Sequence, residues 1–141
     1  MARLVLSAWT VTHAKSVAPA NALDAAFAPA VRLHLLDAYG WFLLATLRAT
    51  QLPARPPHCV AELAPQPPGI ARPAEVGECQ HLEQEGWLAH LQAPLPLGLA
   101  KRSSGMSLAV ESGYPDVGMY QQCADRFEVL FARMSDAIDE Y

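Results

Sequence analysis

The segment RLHLLDAYGWFLLATLRA, Arg32 to Ala49, restricts the fold more than any other part of the chain. It is apolar on nearly every side of a helix, the pattern of a helix surrounded by others. Its longest uncharged run, Ala38 to Leu47, is shorter than the ~20 apolar residues that a bilayer crossing requires. The stretch therefore predicts the central helix of a folded core and argues against a membrane segment. The whole helix is expected over residues 22–51, with Asn21 as its N-cap and a kink or split at Pro29.

Three more helices follow from spacing and punctuation. The first is expected over residues 2–16, with Leu4, Ala8 and Val11 as its apolar stripe, Val5 and Trp9 beside it, and Pro19 preventing continuation. Another should begin at Pro73 or Ala74, with Glu75 and Glu78 near its positive end, and run to about Gln92. The last, residues 116–141, is the clearest. Tyr120, Ala124, Phe127, Phe131, Met134, Ile138 and Tyr141 follow steps of four and three, forming one seam, and Asp116 can cap its start.

The connections differ in kind. Residues 52–73 hold seven of the twelve prolines and predict a stiff, extended crossover. Residues 94–115 have no helical period; MSLAVES alternates weakly and predicts an extended arm or short strand. The expected fold is mainly α: one domain over residues 1–141, a compact bundle of about four helices with a proline-rich crossover and a short extended arm. At 141 residues, 52% of them hydrophobic, the chain is long enough to bury a core of its own.

Charge narrows the function. A net charge of −4 is the wrong sign for neutralising phosphates, so no nucleic-acid partner is expected. Residues 1–56 carry a net +3, whereas residues 74–93 and 116–141 each carry −4. Opposite signs in the two halves suit docking of those halves on each other, or an acidic face turned to a basic partner. Cys59, Cys79 and Cys123 are odd in number and widely spaced, as free thiols in a reducing compartment are. The N-terminal run is broken by Ser7, Trp9, Thr10 and Thr12, with Lys15 after it, so it reads as an amphipathic helix in a cytoplasmic protein.

The layout also carries a resemblance. A short first helix, the DAYGWFLLATL segment, a proline-rich link, the SLAVES arm and a last helix ending in DEY come in that order. Together they resemble a family of small uncharacterised proteins from Pseudomonas and related γ-proteobacteria. The resemblance implies a bacterial, cytoplasmic, helical protein and carries over no functional residue. This chain is shorter and richer in loop prolines than that pattern.

Two pairs of residues can carry metal or acid–base chemistry. His34 and Asp37 lie one turn apart on the central helix, as a carboxylate-oriented histidine requires. Glu78 and His81 form a Glu-x-x-His, the spacing that serves di-iron bundles, but those need a second copy of the motif and this sequence has one. A mononuclear site from His34, Asp37, Glu78 and His81 is the alternative if the two helices face each other. AKRSSG, residues 100–105, does not follow the P-loop order, and Ser103 and Ser104 are not in a nucleophile elbow. No complete catalytic set emerges and no cofactor is expected.

The leading expectation is a non-enzymatic interaction or regulatory module that binds a protein partner, a second copy of the chain included. Its surface would be the seam Tyr120, Phe127, Phe131, Met134, Ile138 and Tyr141, provided that the seam is exposed. A small-ligand or metal-binding bundle is the rival.

Overall fold

The computed structural model describes residues 1–96 and 113–139, with side chains to residue 136. It is mainly helical: α1 (Ala2–Ala14), α2 (Ala20–Thr46), α3 (Ala74–Glu85), α4 (Trp87–Gln92) and α5 (Val117–Asp139), with one 3-10 turn at Val60–Glu62. No strand occurs among the described residues. The expected arm falls mostly on residues 97–112, outside the described residues, as does AKRSSG. Its flanks meet, because the Tyr114 hydroxyl donates to the Pro96 carbonyl at 2.8 Å.

α2 is central, in contact with α1, α3, α4 and α5. Its start differs from expectation: Pro19 is the N-cap, with no side-chain capping bond, so Asn21 lies inside the helix. Pro29 does not end it either. A proline inside a helix costs ~3 kcal/mol. Here Pro29 itself is exposed while Ala28 and Val31 on either side are fully buried, so core contacts hold the helix through the break.

α1 turns a different face inward from the one its stripe suggests. Leu6 and Trp9 are buried, with Ala2 and Val5 packed against the core, whereas Leu4 and Val11 are exposed. The indole decides the rotation. Trp9 stacks on Phe27, centroids 5.9 Å apart, and meets Tyr120 at 6.0 Å. Burying so large a ring outweighs burying Leu4 and Val11.

The helix expected over residues 74–92 is two. Gly86 adopts an extended conformation between α3 and α4, and a Cβ there would stand 2.9 Å from the backbone of Leu82. The break re-aims the chain. Leu88 and Leu91 become fully buried, and Trp87 meets Phe127 edge-on at 4.7 Å.

α5 behaves as its spacing predicts. The Asp116 carboxylate accepts the Met119 amide at 2.8 Å, satisfying one of the free donors at the helix start. Tyr120, Ala124, Phe127 and Met134 are buried and Phe131 is half-buried, stacked on Phe42 at 4.4 Å. The described part of the seam is thus core and is covered within the chain. The Ile138 side chain and Tyr141 lie outside the described residues. The charge asymmetry is partly used inside the molecule, where Arg3 of α1 bridges Asp125 and Glu128 of α5; within the acidic half, Arg133 pairs with Glu78 of α3. Such exposed pairs contribute ~0–1 kcal/mol each.

Candidate binding groove

One side of α2 escapes the bundle. Leu33, Asp37 and Trp41 recur in steps of four on it, and Leu33 and Trp41 stay 49% and 41% exposed. A helix read as apolar on nearly every side is therefore not wholly enclosed. The reason lies in the prolines that follow. Residues 47–73 have too little regular structure to cover a helix face, and they run past it as a rim.

That rim crosses α2 at a glycine. The chain passes so close over α2 that a Cβ on Gly40 would stand 2.0 Å from the Pro57 carbonyl oxygen and 2.7 Å from Pro56 Cβ. Only glycine admits this approach. One turn back from Gly40 and one residue on from Pro57, Asp37 and His58 meet, with His58 Nε2 2.8 Å from the Asp37 carboxylate. The His58 amide donates to Glu62 at 2.7 Å and its carbonyl accepts the Gln92 side-chain amide at 2.8 Å. Beneath the rim, one oxygen of Glu83 accepts both the Tyr39 hydroxyl at 2.7 Å and the Val60 amide at 2.8 Å. Burial, and after it the bond to Glu83, pushes the Tyr39 phenol far above its ordinary range. Arg32 completes the frame by donating to the Leu91 and Gln92 carbonyls at the end of α4.

Between the rim and α2 lies an open groove of about 1550 Å³. Leu33, Trp41 and Leu44 form one wall; Leu52, Leu63 and Ile70 form the other, with Leu52 65% and Ile70 58% exposed. Arg48, Arg55, Asp37 and Glu62 also line it. The two carboxylates are turned to His58, while neither guanidinium has an ion pair among the described residues. Arg48 sits at φ +50°, just past the end of α2, where its amide bonds to Ala45 and the next amide to Leu44. This is the left-handed C-terminal position that glycine usually fills.

The residues singled out from sequence are only partly brought together. Asp37 is in the groove, but its partner is His58 and not His34. Glu78 is paired with Arg133 on another side of the bundle, and His81 is exposed. Among the described residues, no three His, Cys, Asp or Glu stand where they could share a metal ion. The four-residue metal alternative has no cluster to support it. Sequence reasoning missed His58, Glu83 and Arg48 as a group, since they lie on separate elements and nothing in their spacing links them.

No protein-family model matches the sequence, and neither a curated protein nor a solved structure matches it significantly.

Proposed function

We propose that this chain is a non-enzymatic interaction or regulatory module of the cytoplasm, and that it binds a protein partner in the groove between α2 and the proline-rich crossover. The observation that carries the reading is the exposure of Leu33, Trp41, Leu52 and Ile70 on the two walls of one groove. Apolar side chains facing each other across an open channel are the mark of a docking surface. Tryptophan in particular is over-represented among residues that carry binding energy. The α5 seam, buried as core, no longer motivates the reading; the groove replaces it.

Size favours a macromolecular segment over a small molecule. Small-ligand pockets typically enclose ~300–1,000 Å³ and surround their ligand. This groove, at about 1550 Å³, is larger and partly open to solvent. No helix among the described residues is long and apolar enough to cross a membrane.

The test is affinity capture from the native host with the wild-type chain and with a Leu33→Ser/Trp41→Ser variant of matched melting temperature. The expected result is one partner near stoichiometry with the wild type and its loss with the variant. Recovery of bait alone, or of a partner indifferent to the substitutions, overturns the reading.

A further inference from the structure

We propose that the segment filling the groove is acidic and amphipathic, with apolar side chains seated on Leu33 and Trp41 and carboxylates paired with Arg48 and Arg55. This rests on the interaction reading above and names the chemistry of its partner.

The argument is one of charge complementarity within an apolar channel. Arg3, Arg32 and Arg133 are each engaged, by carboxylates or by helix-terminal carbonyls. Arg48 and Arg55 both line the groove and have no such partner among the described residues. The carboxylates that line the groove, Asp37 and Glu62, are already hydrogen-bonded to His58. What the groove offers an incoming chain is therefore two guanidinium groups, unpaired among the described residues, beside apolar side chains. Guanidinium is the cation suited to this, since its planar fork takes a carboxylate through two parallel bonds.

The backbone at Arg48 does not by itself call for a ligand. A non-glycine residue in the left-handed region costs ~1–2 kcal/mol, and Ser16 adopts the same conformation after α1. What distinguishes Arg48 is that it lines the groove.

The experiment pans a phage-displayed library of random 16-residue peptides on the full chain. Selected peptides are then synthesised and titrated by fluorescence anisotropy at low and high salt. Binding is compared among the wild type, Trp41→Ala, Arg55→Ala, Arg48→Gly and the double variant Arg48→Gly/Arg55→Ala; glycine at position 48 suits the local left-handed backbone. The expected result is enrichment of Asp and Glu beside aromatic or aliphatic residues. Affinity should fall about tenfold or more with both arginines replaced, and should weaken with salt. Peptides that depend on Trp41 but show no acidic bias and ignore Arg48→Gly overturn this inference and leave the groove reading standing. If no selected peptide depends on Trp41, both fall. A concentration-dependent homodimer of the free chain that Arg48→Gly dissolves makes a second copy the occupant, and the proposal fails.

Discussion

His58 Nε2 lies 2.8 Å from the Asp37 carboxylate, joining α2 to a residue in the proline-rich segment. The two side chains are 35% and 37% exposed, so water competes for both. Exposed pairs of this kind are worth ~0.2–1 kcal/mol. A double-mutant cycle of Asp37→Ala and His58→Ala, read by chemical denaturation, should therefore give a coupling below about 1 kcal/mol. A coupling of several kcal/mol would show that the pair, rather than the glycine crossing, holds the segment down.

Two glycines on the helices should respond to alanine in opposite ways. At Gly40 the new methyl would overlap the Pro57 carbonyl, and the rim must lift to admit it. We expect a loss of about 1–3 kcal/mol or more, as overpacking produces. At Gly77, in α3, a Cβ meets nothing within 4 Å, so alanine should add about 0.5–1 kcal/mol through helix propensity alone. Melting temperatures of the two variants test both signs.

Glu83→Ala leaves the buried Tyr39 hydroxyl and the Val60 amide without their shared acceptor. The expected cost is about 2–4 kcal/mol, since a buried unsatisfied donor forfeits ~1–3 kcal/mol. Glu83→Gln retains an acceptor oxygen and should cost clearly less. Equal losses in the two variants would argue that Glu83 matters for its charge.

The cysteines should be distinguishable by reactivity. Cys79 is buried and burial pushes its thiol up to about 11, while Cys59 is only half-buried. Disulfide-exchange reagents at pH 8 should therefore label Cys59 first, and Cys79 and Cys123 only as the chain unfolds. Labelling of Cys79 in the folded state would contradict its enclosure.

The same burial sets an alkaline limit. Where the native value is raised, the folded state keeps its proton while the unfolded chain loses it. Stability then falls as pH climbs from 9.0 toward about 11 for Cys79, and from 10.0 toward about 12 for Tyr120, which burial also raises. Below about pH 8 neither group contributes to the slope. Denaturation midpoints measured across pH 7–11 check the direction.

How much of this was legible in the residues depends on the range of the interaction. The Asp116 cap and the α5 seam are local, so spacing alone located them. Which face of α1 turns inward was set by Trp9 meeting Phe27 and Tyr120, partners on two other helices, and the Leu4 stripe misled. Asp37 stood out beside His34 because one helical turn brings them near. Its actual partner, His58, arrives only because the chain recrosses α2 at Gly40, and nothing in YGW or RPPH announces that crossing. The groove likewise exists because the proline segment fails to cover α2, a property of the space between elements.

The shared acceptor on Glu83 ties the rim of the groove to the interior of the bundle. Val60 belongs to the rim, Tyr39 to the core, and Glu83 to α3, yet all three meet at a single oxygen. An occupant that shifts the rim changes what Glu83 must bond, and so changes the free energy of opening α3. By thermodynamic reciprocity, anything that loosens α3 changes affinity in the groove by the same factor. On the proposed reading, occupancy of the groove and local opening of this helix are two equilibria coupled through one oxygen.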